Sequence, residues 1–236
     1  WQGGEGAPLV PVFHHALARW AVGQGRLAAA PVVFLNLGGV GNLTWCDPRA
    51  ADPLGACLAF DTGPANAPLN DLMRARRGAA RDEGGALAAA GAPREAVIAD
   101  FLRHPYFARP APKSLDRDAF AGLGPAVAQM DDADAAATLV HAAAAAVAAG
   151  LALLPARPAS ILVCGGGRRN AALMAALGAR TGVAVQPVEA AGLDGDMIEA
   201  QAFAFLAVRV LRGLPTSGPS TTGVPGPVCG GRISAA

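Results

Sequence analysis

Asp61 closes the apolar run Leu58-Ala59-Phe60 and opens the turn Thr62-Gly63-Pro64-Ala65-Asn66. A carboxylate at that place is held rigidly by a buried strand beside a loop that can admit a substrate, which is what a general base needs. Pro fixes one φ angle, Gly permits an unusual one and Asn tolerates the left-handed region, so the turn is tight and rich in amides. Two roles fit these residues equally: proton abstraction, or an Asx-type cap that merely closes the turn.

Two further glycine turns follow apolar runs. Pro31-Val32-Val33-Phe34-Leu35-Asn36-Leu37 leads into Gly38-Gly39-Val40-Gly41-Asn42, and Ile161-Leu162-Val163-Cys164 leads into Gly165-Gly166-Gly167 with Asn170 just beyond. Such loops bring bare backbone N–H groups close to phosphate oxygens. Hairpin or strand–helix packing explains one glycine run alone; three, each after a strand and each with an Asn nearby, favour nucleotide phosphate binding. The triple glycine lacks Gly-x-Gly-x-x-Gly spacing and its ribose-binding acid, which weakens a dinucleotide oxidoreductase.

The elements that must hold these turns are legible. Pro11 starts a short helix through Trp20, residues 31–61 read as a three-stranded antiparallel meander, and helical stripes follow to Phe107. Residues 109–114 are extended and proline-rich, with Lys113 and Arg117 as surface charges or anion contacts. Asp131 to Asp134 cap a long alanine-rich helix over Ala135 to Leu154. A strand at 161–164, a helix at 170–180 and a strand at 183–185 then form a parallel α/β unit, whose glycine turn lies where such sheets bind ligands. A helix opens at Asp194-Gly195-Asp196 and runs through Leu211; Asp196 and Glu199 have capping-box spacing. The Gly/Pro/Ser/Thr-rich stretch 215–231 wraps back as a loop.

Composition narrows the classes. A chain of 236 residues that is 53% hydrophobic can bury a large core. Only 16% of residues are charged and the net charge is +1, so no basic face points to nucleic acid. Cys46, Cys57, Cys164 and Cys229 lack Cys-x-x-Cys spacing and suggest neither a disulfide scaffold nor zinc. Adjacent His14 and His15 point about 100° apart on a helix and cannot chelate together, so no metal-binding residue is expected. The apolar stretch from Leu139 to Leu154 falls short of the roughly 20 residues a bilayer needs, and a cytoplasmic protein without membrane contact is expected.

An ordered series of segments resembles the anhydro-N-acetylmuramic acid kinases. It comprises Gly3-Gly4-Glu5-Gly6-Ala7-Pro8-Leu9-Val10-Pro11, Asn36-Leu37-Gly38-Gly39-Val40-Gly41-Asn42-Leu43-Thr44, Phe60 to Asn66, His104-Pro105-Tyr106-Phe107 and Pro112-Lys113-Ser114. Ala136-Ala137-Thr138-Leu139, Cys164 to Gly167, Glu199-Ala200-Gln201-Ala202-Phe203-Ala204 and Thr222-Gly223 complete it. The resemblance implies an α/β, actin-like (ribonuclease-H-like) sugar-kinase fold with two domains around a cleft, expected at residues 1–130 and 131–236. It implies ATP and Mg²⁺ as cofactors, a small sugar as partner, and a homodimer is left open. The activity implied is ATP-dependent phosphorylation of 1,6-anhydro-N-acetylmuramic acid with opening of the anhydro ring, in peptidoglycan recycling and amino-sugar catabolism. Asp61 would be the base; Gly38, Gly39 and Asn42 would face the β- and γ-phosphates; Gly165, Gly166, Gly167 and Asn170 would face the adenosine side. Glu199, Thr62 and Asn66 would contact the sugar.

Departures from the family pattern are Ala65 for Gly, Glu5 for Gln, and Leu115-Asp116 for Thr-Gly before Arg117. The sequence starts at Trp1 inside a family motif, and the family's first phosphate loop (Gly-Thr-Ser-x-Asp-Gly) is not in it, so a truncated first domain is expected. The alternatives are a non-catalytic sugar- or nucleotide-binding module of the same fold, and an inactive fragment.

Overall fold

A computed structural model describes residues 3–234, without the side chain of Arg117. Trp1 and the Arg117 guanidinium, both invoked above, lie outside the described residues. In chain order the elements are α1 (Pro11–Gly23), β1 (Val32–Leu37), β2 (Val40–Cys46), β3 (Cys57–Pro64), α2 (Asn66–Arg77), α3 (Ala86–Ala89) and α4 (Glu95–Phe101). They continue with α5 (Leu123–Ala126), α6 (Asp132–Leu151), β4 (Ser160–Cys164), α7 (Ala171–Thr181), β5 (Ala184–Pro187), α8 (Ile198–Leu211) and α9 (Pro219–Thr222).

Among the described residues the strands form one sheet in the order β3-β2-β1-β4-β5. β1, β2 and β3 make the expected antiparallel meander, while β4 and β5 continue it in parallel on the other side of β1. This is the ribonuclease-H-like, α/β arrangement that the resemblance implied. The sheet draws strands from both sides of residue 130, because β1 and β4 pair directly.

Alternation along the strands divides the core in two. Val33, Leu35, Leu43, Phe60, Ile161 and Val163 face α2, α6 and α7, while Val32, Phe34, Cys46, Cys57, Leu162 and Cys164 face α1 and α8. β1 and β4 are thus covered on both sides, which is why they read as unbroken apolar runs.

The long helix begins earlier than its alanines suggested. Asp131 is the cap, its carboxylate accepting from the Asp134 amide at 2.9 Å, so Asp132 to Asp134 are already helical. The resulting α6 has 20 residues and reaches membrane-spanning length, contrary to expectation; 72% of its apolar window is buried in the fold, which marks it as a core helix. Small side chains let it lie close on the sheet: a Cβ at Gly150 would stand 3.2 Å from the Phe60 ring. The 215–231 stretch does wrap back, pinned by a bridge between Ser217 and Val228, with the single turn α9 set against β3.

These observations predict unequal stability losses. Leu35 is fully buried between sheet and helices, so Leu35→Ala should cost about 3 kcal/mol. Asp131→Ala removes one cap and should cost about 1 kcal/mol. Urea unfolding checks both, and equal losses would contradict the assignment of Asp131 as a cap only.

Candidate active site

Strand register gathers the chemistry. Asn36 on β1 stands opposite Asn42 on β2, Asn42 stands opposite Asp61 on β3, and Asn36 pairs on its other side with Cys164 of β4. One row across the sheet therefore joins Asp61 to the turns at Gly38 and Gly165. By the same alternation that buries Phe34 and Cys46 beneath α1 and α8, Asp61, Asn42 and Asn36 lie on that face, past the part those helices cover.

The Asp61 carboxylate is fixed by two N–H donors. Asn42 Nδ2 donates to Oδ1 at 2.9 Å and the Leu115 amide donates to Oδ2 at 2.8 Å. The backbone is clamped too: the Asp61 amide donates to the Lys113 carbonyl at 3.0 Å, and the Tyr106 hydroxyl donates to the Asp61 carbonyl. Neither oxygen takes an amide of its own turn, so the Asx-cap alternative does not describe this residue. Among the described residues each oxygen takes one donor, which leaves it a second lone pair. Burial raises the pKa of Asp61, the bonds from Asn42 and Leu115 act against that, and the nearby Glu5 carboxylate adds to it. Such a carboxylate is a stronger base than an exposed one.

The glycine turns divide into structural and open positions. At the β1–β2 hairpin, the Gly38 carbonyl accepts from the Asn66 amide at 3.0 Å and the Gly39 carbonyl accepts from the Ala65 amide at 2.9 Å. Asn66 Nδ2 also donates to the carbonyls of Leu37 and Gly38. Asn66, expected at the sugar, ties the hairpin turn to the start of α2 through its side-chain amide. Thr62, also expected there, is buried on the opposite face, its hydroxyl donating to the Gly41 carbonyl at 3.2 Å. Gly165 has φ +71° and a Cβ there would fall 2.3 Å from Asn36 Oδ1; a Cβ at Gly167 would fall 2.5 Å from Leu37 Cβ. These two let the β4 turn close against β1. At Gly166 a Cβ would meet nothing within 4 Å, and at Gly38 only a carbonyl at 3.8 Å. These two glycines line an open cavity of about 270 Å³ with Asn66, Arg81, Arg169 and Asn170.

Asn170 caps α7, accepting from the Leu173 amide at 2.9 Å. Asn42, expected at the phosphates, has its amide on Asp61. The Asp196–Glu199 capping box does not form, because Asp196 is taken by Arg168 at 2.7 Å and Arg169 at 2.6 Å. Glu199 remains exposed in the first turn of α8, near enough to Cys164 to add to the rise of its thiol pKa to about 12, which is mainly due to burial. It opens α8, whose Ile198 and Ala202 pack on the face of the sheet that carries Asp61. Lys113 is not a surface charge: it is 4% exposed, its ammonium donating to the Tyr106 carbonyl at 3.0 Å and lying 4.5 Å over the Tyr106 ring. His14 stacks on Phe34 with its pKa pushed down to about 3 by burial, and His15 meets the Ala50 carbonyl.

Sequence reading missed four contributors. Tyr106 and the Leu115 amide reach Asp61 from a loop that carries no local signal for it. Asn36 was quoted as part of a motif, yet it is the exposed polar residue in an otherwise buried strand, which is a signal in itself. Arg168 is buried beneath the glycine turn and donates to the Gly165 carbonyl at 2.9 Å and to Glu189 at 2.8 Å. Its signal was an Arg pair directly after the glycines with an acid pair downstream.

The raised pKa of Asp61 has a consequence for stability. Ionising Asp61 is harder in the fold than in the unfolded chain, so it stabilises nothing. Stability is unaffected below the ordinary aspartate range and falls as pH rises from there through the raised value. Asp61→Asn should therefore gain on the parent protein in Tm across that window and match its slope below it. Parallel melting curves from pH 3 to 7 would contradict this.

A family model described as anhydro-N-acetylmuramic acid kinase matches residues 1–236. The chain is 68% identical over 234 residues to the anhydro-N-acetylmuramic acid kinase of Cereibacter sphaeroides, covering 98% of this chain and 62% of that protein. It is 58% identical to anhydro-N-acetylmuramic acid kinase 1 of Jannaschia sp., covering 98% of this chain and 61% of that one. It thus spans about three-fifths of the length of these relatives. Among solved structures it is similar to the activator of 2-hydroxyisocaproyl-CoA dehydratase from Clostridium difficile with bound ADPNP, with TM-score 0.44 and 12% identity over 84% of this chain and 68% of that one. Matched by the family model from first residue to last, the chain belongs to the anhydro-N-acetylmuramic acid kinase family.

Proposed function

We propose that this chain carries the catalytic base and the nucleotide-facing turns of an ATP-dependent kinase acting on 1,6-anhydro-N-acetylmuramic acid. The observation that carries the reading is the Asp61 carboxylate: rigid, partly desolvated, with one donor on each oxygen among the described residues, in one row with two glycine turns. In this reading Asp61 takes a proton from a water molecule as the water oxygen attacks C1. The C1–O6 bond breaks, O6 attacks the γ-phosphorus, and ADP leaves. The products are N-acetylmuramic acid 6-phosphate and ADP, as peptidoglycan recycling and amino-sugar catabolism in the cytoplasm require. Gly38, Gly39 and Gly166 would approach the nucleotide through backbone, and Glu199 would face the sugar. Asn42 would serve the base and not the phosphates.

Among the described residues no three His, Cys, Asp or Glu side chains converge as a metal cage. Mg²⁺ would be carried on the nucleotide phosphates, where it would neutralise developing charge. A two-domain enzyme closing on its substrates would exclude water from the transferred phosphate.

Asp61→Asn tests the base cleanly. The new amide oxygen can face the Leu115 amide, and Asn42 can flip its own amide to accept from the new NH₂ group. The fold therefore tolerates the change while basicity is lost. In a protein of full family length, turnover should fall at least about a hundredfold with the sugar still bound. Survival of activity would remove the base assignment. In ¹⁸O-water, label should appear on C1 of the product sugar and be absent from its phosphate; label in the phosphate would mean that water attacks phosphorus.

Gly166→Val tests the nucleotide side. Since no protein atom lies where its side chain would begin, the variant should fold, yet its ATP dissociation constant should rise at least about tenfold, or roughly 1.4 kcal/mol. Unchanged affinity by calorimetry would place the nucleotide elsewhere.

A further inference from the structure

The segment 3–10 leads into α1 along the same end of the sheet as Asp61. The Glu5 amide donates to the Thr222 carbonyl at 2.8 Å, which fixes its backbone beside the end of α9. Its carboxylate Oε2 accepts from the Ser114 hydroxyl. The next residue, Leu115, gives its amide to Asp61 Oδ2 at 2.8 Å. Two carboxylates from opposite ends of a 57-residue stretch are thereby held by consecutive residues of one loop.

We propose that Glu5 is a positioning residue for Asp61, fixed by Ser114 so that a second negative charge stands beside the base. The inference rests on the reading of Asp61 as the base and concerns what sets its working range. Asn42 comes from β2, and the Leu115 amide and Tyr106 hydroxyl come from the 104–115 loop, with Arg109 5.6 Å from the Tyr106 ring. The Lys113 ammonium lies within the aromatic rings and His15 of α1 is held at the far end of the sheet by Ala50. Among the described residues, Glu5 is the charged side chain that acts on the Asp61 carboxylate in the direction that burial also acts. The two donors on Asp61 oppose them. A like charge keeps a neighbouring carboxyl protonated to higher pH, so Glu5 moves the acid limb of activity upward.

The test is the pH profile of kcat/KM in a protein of full family length, for the parent, Glu5→Gln and Ser114→Ala, together with a carbon-13 NMR titration of the Asp61 carboxyl in the same three proteins. Glu5 is exposed, so its replacement leaves the fold in place. On the acid side of the limb, Glu5→Gln should exceed the parent about two- to threefold, the order expected of one unit charge acting across several ångströms of partly aqueous space. The Asp61 titration should move downward with it, and Ser114→Ala, which frees Glu5 to turn into solvent, should move it the same way but less. An Asp61 titration unmoved in Glu5→Gln would overturn the proposal, and one unmoved only in Ser114→Ala would overturn the part given to Ser114. If all three proteins lack kinase activity, the proposed function fails, and the NMR titration still decides whether Glu5 acts on Asp61.

Discussion

The parallel pairing of β1 with β4 is the constraint on which the candidate site depends. Val32 to Asn36 registers with Ser160 to Cys164 across more than a hundred residues of intervening chain. Only in that register do the hairpin turn after β1 and the turn after β4 share an edge of the sheet. Contacts so distant in sequence close a long loop at an entropic cost, and they persist here because both strands are covered by apolar layers on both faces. Gly165 and Gly167 are then required by closeness, since a side chain at either would push the β4 turn away from Asn36 and Leu37. The same glycines that look like a phosphate loop are in part the means of closing the sheet.

Asp61 illustrates how function and stability oppose each other at such an edge. Burial makes its ionised form expensive, while two N–H donors lower that expense without abolishing it. A fully satisfied carboxylate would be a poor base; an unsatisfied one would protonate and lose its acceptor role. Donors to one lone pair of each oxygen give a group that is held in place and still able to take a proton.

Local signals revealed the elements and the row's end points. The meander, the capped alanine helix and the parallel unit were legible because periodicity, capping acids and proline breaks act over a few residues. Partners were not. Asp61 is bonded to residues 19 and 54 positions away, and no local pattern announces which side chains a register will bring opposite. For the same reason the partners of Thr62 and Asn66 were not legible. Both residues flank Asp61 in sequence, but alternation turns Thr62 to the other face and the hairpin carbonyls claim Asn66. The capping box at Asp196 failed through competing partners: the Arg168 and Arg169 guanidiniums both take its carboxylate.

Arg168 extends this logic from one turn to the whole face. Its side chain is 7% exposed and binds the Gly165 carbonyl, Glu189 and Asp196 at once. Asp196 lies in the turn that leads into α8, whose first turn carries Glu199. The glycine turn after β4 and the start of α8 are therefore tied through one buried cation. Shifting either alone would cost Arg168 one of its contacts, the Gly165 carbonyl or the Asp196 carboxylate. Asp196 and Glu189 are open to solvent, so each ion pair contributes modestly, and it is the shared guanidinium that ties the two segments. The turn expected at the nucleotide and the segment that carries the glutamate expected at the sugar are joined in this way, although they belong to different elements.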